Sequence, residues 1–266
     1  PLLAVLADPF FFGVLAEAAA DPSVLWTAFR PHQFGPVTIP FPDYKLGLFG
    51  FTAYQALLST LASIALGLPG AYVLARFEFP GRETIRSLTA VPFVMPSIMV
   101  AIGFIATFGR NGVLNGVLTA VGLPRIELLY TLPIIVLAHA FYDAPLIARV
   151  TATAWESVDA GTAETARSLG ASPQRAFLDV VVPQLLPAIL TGALLTFIFS
   201  FMSFAIVLAL GGLSLATVEV WVYHRVQQLD YATASALATL EMVFSLLLTY
   251  AYLRYEARQR AESAAR

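Results

Sequence analysis

Long apolar runs separated by shorter polar segments set the pattern of this chain. Five runs approach or exceed the roughly 20 residues that an α-helix needs to cross a bilayer, and they cover residues 46–74, 87–108, 128–147, 184–210 and 231–253. Prolines inside such runs, such as Pro92 and Pro96, are tolerated and usually kink the helix. The pattern therefore predicts an all-α, polytopic transmembrane helical bundle with five complete spans.

The first 45 residues differ from the rest. Residues 1–20 are apolar apart from Asp8 and Glu17 and lack the basic start of a signal peptide, so they could be a truncated further span or an apolar surface segment. Residues 21–45 contain five prolines and predict an external loop. We expect a transmembrane domain over 46–253 and a cytoplasmic tail over 254–266.

Composition supports a membrane protein. The 266 residues are 58% hydrophobic and only 12% charged, against roughly 25% charged residues in soluble domains. The net charge of -2 comes without a basic stripe, which gives no indication of nucleic-acid binding. The chain has no cysteine, so disulfides and zinc-thiolate sites are excluded. The lipid bilayer is the first partner that the sequence predicts.

A polar segment over residues 149–183 interrupts the apolar pattern between the third and fourth spans. Residues 157–169 predict a short helix, polar on one side and apolar on the other. The apolar side is formed by Val158, Ala163, Ala166 and Leu169. Such a helix is too polar for the bilayer interior, so we expect it on a membrane surface.

The middle of this segment predicts a sharp turn between two helices. Gly170 can adopt the left-handed conformation that ends a helix. Ser172 and Pro173 then form a typical helix start, with serine as N-cap and proline in the first turn. The expected arrangement is helix, glycine turn and second helix.

This segment resembles the cytoplasmic loop of the permease subunits of binding-protein-dependent ABC importers. The family pattern is E-A-A, three residues, G, nine residues and I-x-L-P. This chain has Glu164, Thr165 and Ala166, then Gly170, then Val180, Val181, Val182 and Pro183 at the same spacing. The differences, such as Thr165 for alanine, are changes between small or aliphatic residues. The alternative is an ordinary amphipathic loop on the membrane surface.

The resemblance implies a function as well as a fold. In the family the loop is a coupling helix that docks on a cytoplasmic ATPase, which implies ATPase-coupling roles for Glu164, Thr165, Ala166, Gly170 and Pro183. It also implies a second permease half, fused or separate, and an external solute-binding protein. The chain itself would be a multi-pass protein of the plasma (inner) membrane of a prokaryote. ATP and Mg²⁺ would bind to the ATPase, and this chain would bind no cofactor and catalyse no reaction.

Further stretches resemble the iron(III) and thiamine branch of these importers. They are residues 68–82, 108–115, 137–146 and the region 203–223. In that branch two permease halves are often fused, and the single coupling loop makes this chain similar to the N-terminal half. Asp143 stands where the branch pattern LAHxFxNxPL has asparagine. The resemblance alone thus favours iron(III) or thiamine as the solute.

Basic residues indicate the orientation, because short loops rich in arginine and lysine stay on the cytoplasmic side. With the coupling loop inside, ten basic residues lie inside and five outside. The inside set is Arg76, Arg82, Arg86, Arg149, Arg167, Arg175, Arg254, Arg258, Arg260 and Arg266, and the outside set is Arg30, Lys45, Arg110, Arg125 and Arg225. We therefore expect a cytoplasmic coupling loop and C-terminus.

Several polar residues within the spans are candidates for the translocation path. His139 and Asp143 are four residues apart, a spacing that metal ligands use. A helix-packing role is favoured for them because no third ligand is near in sequence. Glu241 is a functional candidate because intramembrane carboxylates are costly, or it reaches the external interface. Ser200, Met202 and Ser203 could line the path or pack helices.

The competing function is an ion-coupled secondary transporter or channel. Such a protein predicts intramembrane charges for the coupling ion and an inverted repeat, and neither is evident in the sequence. Nucleotide-binding and hydrolase motifs are also missing from the sequence, so ATP hydrolysis is expected on a partner.

Overall fold

The computed structural model describes residues 47–264. The predicted N-terminal segment, its external loop and the last two residues of the predicted tail lie outside the described part. The described helices are α1 (Leu48–Arg76), α2 (Arg82–Leu88), α3 (Val91–Val94), α4 (Ser97–Phe108), α5 (Val113–Ala120), α6 (Leu132–Glu156), α7 (Ala160–Ser168), α8 (Pro173–Ala176), α9 (Val182–Phe201), α10 (Ala205–Gly211), α11 (Val218–Gln227) and α12 (Tyr231–Ala264). A π-helical turn, Phe177–Val181, joins α8 to α9.

Five helical stretches are long and apolar enough to cross a membrane, which confirms the predicted all-α, five-span architecture. They are Leu48–Arg76, Ser97–Ala120, Leu132–Glu156, Pro173–Phe201 and Tyr231–Arg258. A sixth crossing is possible within the described residues if the stretches Ala205–Leu215 and Val218–Gln227, bent by 77°, form one broken span.

The second span differs from the prediction of residues 87–108. The chain breaks at Met95, whose extended backbone (ψ 131°) precedes Pro96, and the apolar span begins at Ser97. A residue before proline is disfavoured in the helical conformation, which explains the break. The predicted external loop 109–127 contains α5 instead. Asn115 holds it by donating to Gly109 O and Ile126 O and by accepting from Ile126 N, at 2.8 to 3.0 Å.

The fourth span also ends earlier than the predicted residue 210. Helix α9 stops at Phe201, and α10 begins at Ala205. Side chains from distant elements satisfy carbonyls at this break: Gln55 Nε2 donates to Ser200 O at 2.7 Å, and Thr217 Oγ1 donates to Ser203 O at 3.4 Å. Because these side chains satisfy the carbonyls that the break frees, the helix ends here without a glycine or a proline.

Residues 211–230, predicted as an external segment with an amphipathic part along the membrane surface, fold back into the bundle. Val218 and Val220 of α11 are fully buried, and Val218 packs with Leu48 and Leu237. The apolar contacts with α1 and α12 explain why this helix is not a free surface segment.

Helices α1 and α6 form the closest pair of the bundle. A Cβ atom on Gly67 would lie 2.6 Å from Ile147 Cβ and 2.7 Å from Ala144 O, so the two backbones approach to a distance that only glycine permits. Two apolar clusters continue from this contact. The larger one includes Phe51, Ile135 and Leu210. The second lies at the other end of α1 and α6, beside the loop that joins α6 to α9, and includes Leu74, Trp155 and Leu185.

Candidate functional site

The loop between α6 and α9, residues 157–176, lies within the predicted coupling loop of residues 149–183 and begins with a capped helix. Asp159 is the N-cap of α7, and its Oδ1 accepts from Gly161 N at 3.0 Å. The predicted helix started at residue 157, but Ser157 ends α6, and Val158 is buried in the second apolar cluster. The aspartate cap delays the start to Ala160, because an N-cap residue has extended rather than helical geometry.

Gly170 ends α7 as predicted. Its φ of +96° is left-handed, and its N–H donates to Arg167 O while Ala171 N donates to Ala166 O, both at 3.0 Å. These bonds satisfy carbonyls that a helix end otherwise leaves free. A Cβ at Gly170 would meet no atom within 4 Å, so the requirement for glycine comes from the backbone angle and not from space.

The second loop helix also starts at the predicted residues. Ser172 Oγ accepts from Arg175 N at 3.3 Å, and Pro173 occupies the first turn of α8. The chain continues through the π-helical turn into α9, where Pro183 lies in the first turn. The loop is therefore joined to a transmembrane helix without a flexible connection.

The outer surface of the loop is exposed. Glu164, Thr165 and Pro183 are exposed, and Ala166 is half-buried. Leu169, predicted on the apolar side of the helix, is 85% exposed. It is the C-cap residue and has left the helical periodicity, so its side chain points away from the bundle. The sequence interpretation missed this exposed leucine.

Aromatic stacking fixes the loop to the bundle. Trp155, near the end of α6, stacks on Phe177 of the π-helical turn with ring centres 5.9 Å apart. Its ring also contacts the ring of Tyr72 of α1, with centres 5.3 Å apart. The same tryptophan is buried in the second apolar cluster. The loop therefore packs on α1 and on the end of α6 through one tryptophan.

An ion-pair network, not identified as functional from the sequence, joins α2 to the end of α6. Arg82 Nη2 and Arg86 Nη1 donate to Glu156 Oε1 at 2.8 and 2.9 Å, and Arg86 Nη2 donates to Glu156 Oε2 at 3.1 Å. The hydrogen bond and charge of Glu156 raise the pKa of Arg86 above its ordinary value. The contacts hold the segment after α1 against the start of the coupling loop.

A cavity of about 470 Å³ lies between the two helix breaks. Four of the predicted path residues line it: His139, Asp143, Met202 and Ser203. Ser97, the first residue of α4, also lines it. The structure thus brings together residues that are up to about one hundred positions apart in sequence.

Buried polar side chains contact two of the residues that line this cavity. Ser59 Oγ lies 3.2 Å from His139 Nδ1, and Ser200 Oγ donates to Asp143 Oδ2 at 3.1 Å. Ser200, a further predicted path residue, therefore contacts Asp143 and does not itself line the cavity. No cluster of three metal-ligating side chains occurs among residues 47–264.

Glu241 lies apart from this cavity. It is buried in α12, and its carboxyl group lies near that of Glu219 on α11. The structure therefore does not bring Glu241 together with the other predicted path residues, and it does not place this carboxylate free at the external interface.

Residues 63–261 match the family described as the binding-protein-dependent transport system inner membrane component. The chain belongs to this family. It is a permease subunit of an ABC importer, a multi-pass inner membrane protein, and in this family ATP hydrolysis is carried out by separate ATPase subunits.

Curated relatives of the permease are transport proteins with different solutes. It is 30% identical to a putative 2-aminoethylphosphonate transport system permease protein of Salmonella choleraesuis, over 76% of this chain and 72% of the relative. It is 30% identical to a sulfate transport system permease protein of Salmonella typhimurium, over 78% of this chain and 75% of the relative. It is 29% identical to a molybdenum transport system permease protein of Azotobacter vinelandii, over 80% of this chain and 95% of the relative.

Solved structures of ABC transporters share the fold of the permease. A bacterial alginate ABC transporter in complex with a periplasmic protein matches with a TM-score of 0.63 and 19% identity, over 78% of this chain and 76% of that chain. The methionine ABC transporter in an inward-facing conformation matches with a TM-score of 0.57 and 20% identity, over 78% and 92%. These likenesses establish the fold of the permease.

Proposed function

We propose that the permease drives solute import by docking its coupling loop on a cytoplasmic ATPase subunit, with a second permease half and an external solute-binding protein completing the complex. The observation that carries the proposal is an exposed docking surface on a rigidly anchored loop. Glu164 and Leu169 are exposed on the outer side, and Trp155 anchors the inner side.

Glu164 suits an interface with a protein partner. Its carboxylate is exposed and forms no ion pair with another residue in the described range. A partner could therefore supply a cation or a hydrogen-bond donor without breaking an existing contact. Leu169, five residues later, adds an apolar side chain that becomes buried on docking, which is a favourable contribution of about 2 kcal/mol.

The orientation follows from the same proposal. Docking on an ATPase places residues 157–176 and the C-terminal end of α12 in the cytoplasm. The excess of arginine on that side supports the arrangement. The cavity between the helix breaks then lies within the membrane domain, on the solute path between the two sides.

We infer that the solute is a small oxyanion. The resemblance of short stretches favoured iron(III) or thiamine, but the curated relatives described above are named for 2-aminoethylphosphonate, sulfate and molybdenum transport. These relatives likewise give no support to the expected fusion with a second permease half. A small oxyanion also fits a cavity of about 470 Å³.

A charge reversal on the loop tests the coupling role. Glu164→Lys is compared with Glu127→Lys, an exposed glutamate in a different connection of the chain. In proteoliposomes containing the full complex with its binding protein, we expect Glu164→Lys to lower ATP-dependent uptake at least tenfold and to reduce co-purification of the ATPase. Glu127→Lys should retain both.

Two results would contradict the proposal. One is wild-type uptake that continues after the ATPase has been removed, which would instead support an ion-coupled secondary transporter or channel. The other is a Glu164→Lys complex that retains the ATPase and transports at the wild-type rate.

A further inference from the structure

Two buried polar atoms at the inner wall of the cavity have no hydrogen-bond partner within the described part of the chain. They are Nε2 of His139 and Oδ1 of Asp143, and the two residues are only 2% and 1% exposed. Buried polar atoms are nearly always hydrogen-bonded, because leaving one without a partner costs about 1–3 kcal/mol. Two such atoms on adjacent turns of α6, beside one cavity, indicate a ligand site.

The carboxylate of Asp143 has no basic side chain paired with it in the described part of the chain. Its Oδ2 accepts a hydrogen bond from Ser200. An intramembrane carboxylate without a positive partner is costly and is normally functional. The free Oδ1 therefore favours a ligand that carries an ammonium group or another strong hydrogen-bond donor.

The bond between Ser59 and His139 determines what His139 offers. Thr52, Thr60 and Ser63 on the same helix donate to carbonyls four residues earlier. The hydroxyl of Ser59 makes no such bond in the described structure and faces His139 Nδ1. The serine O–H is thus free to donate to Nδ1, and in that tautomer the ring proton is on Nε2. Nε2–H is then a donor suited to an oxyanion.

The start of α4 adds donors to the lining of the cavity. Ser97 lines the cavity, and Pro96 at the N-cap position provides no side-chain cap. The first amides of a helix lack acceptors within the helix, and the helix dipole favours negative charge there. The cavity therefore has anion-binding groups at Ser97 and His139 and a cation-binding group at Asp143.

We infer that this cavity binds a small zwitterion, with its oxyanion at Ser97 and His139 and its ammonium group at Asp143. The inference rests on the proposed function and names the solute class more narrowly. An amino-substituted alkylphosphonate has both charges, whereas sulfate and molybdate lack the ammonium group. The two side chains are covered in this conformation, so the solute contacts them when α6 and the residues after α9 move apart.

Binding to the assembled complex tests this inference. The permease complex with its ATPase, but without the binding protein, is reconstituted in nanodiscs, and binding of radiolabelled 2-aminoethylphosphonate is measured by equilibrium dialysis. Ethylphosphonate, which lacks the ammonium group, and sulfate are used as competitors. We expect the native complex to bind 2-aminoethylphosphonate at least tenfold more tightly than either competitor.

Variants then assign the two charges to their residues. Asp143→Asn should remove the preference for 2-aminoethylphosphonate over ethylphosphonate, and His139→Gln should weaken binding of both. Ser63→Ala is the matched control, because Ser63 is buried on α1 but does not line the cavity. It should bind all three compounds like the native complex.

The outcomes separate this inference from the proposed function. Equal affinity of the native complex for 2-aminoethylphosphonate and ethylphosphonate, or no binding of either, would overturn the zwitterion site. An assembled Asp143→Asn complex that keeps the native preference would do the same. ATP-dependent uptake by the complete native complex is measured separately. A native complex that shows no ATP-dependent uptake would overturn the importer proposal itself.

Discussion

The coupling loop and the central cavity are built in opposite ways. In the loop, residues close in sequence determine the conformation: Asp159 caps the first helix, Gly170 ends it and Ser172 starts the second. In the cavity, the deciding contacts join residues far apart, such as Ser59 with His139 and Ser200 with Asp143.

Under the proposed function, the difference separates two tasks. A part that docks on a partner needs a fixed shape and an exposed surface, and local sequence is sufficient for both. A part that encloses a solute needs polar groups held inside a membrane, and only tertiary packing can hold them. The predictions below change one region while leaving the other intact.

The largest expected effect is at the contact between α1 and α6. Gly67→Ala would place a Cβ atom 2.6 Å from Ile147 Cβ and 2.7 Å from Ala144 O. We expect a loss of about 1–3 kcal/mol, typical of overpacking, and displacement of Ser59 from His139. Thermal unfolding of the purified complex measures the loss, and solute binding measures the damage to the cavity.

Gly70→Ala provides a control on the same helix. Its Cβ would lie 3.5 Å from Ala148 Cβ, an ordinary contact. This variant should unfold at or slightly above the temperature of the native protein, because alanine favours helix. Equal unfolding temperatures for the two variants would show that the close approach of α1 and α6 is not what stabilises the bundle.

A smaller effect is expected at Gly170, where only the backbone angle matters. Gly170→Ala and Gly116→Ala both add a methyl group to open space, but only Gly170 has a left-handed φ, of +96°. The strain of about 1–2 kcal/mol should lower ATP-dependent uptake roughly fivefold or more in Gly170→Ala. Gly116→Ala should transport normally, and equal rates for the two would contradict a role for the turn geometry.

The sequence was informative where local chemistry decides the structure. Five membrane-length helices, the glycine turn and the serine-proline helix start were all predicted, and the structure contains them. The exposed position of Leu169 was not predicted, because a leucine in step with Ala163 and Ala166 indicates an inner face. The chain leaves the helix at that residue, and periodicity no longer applies.

The sequence was less informative about breaks and long-range contacts. The break before α4 has a local signal in Pro96, which was interpreted as a kink within one span. The break after α9 has none, because it depends on donors from Gln55 and Thr217. His139 and Asp143 were recognised as candidates, but the donor and acceptor that they offer follow from Ser59 and Ser200, which only folding brings near.

The measurement that tests the central claim most directly is site-specific cross-linking of the coupling loop. The chain has no cysteine, so Leu169→Cys introduces a unique thiol at a position that is 85% exposed. Leu213→Cys, at an exposed leucine after α10, is the control. A heterobifunctional maleimide and amine reagent is applied to membranes that contain the complete complex.

We predict that the thiol at 169 cross-links to the ATPase subunit and is protected from an impermeant maleimide added outside intact cells. The thiol at 213 should show the reverse, with external labelling and no cross-link to the ATPase. A thiol at 169 that is labelled from outside, or that never cross-links to the ATPase, would contradict the proposed coupling role of the loop.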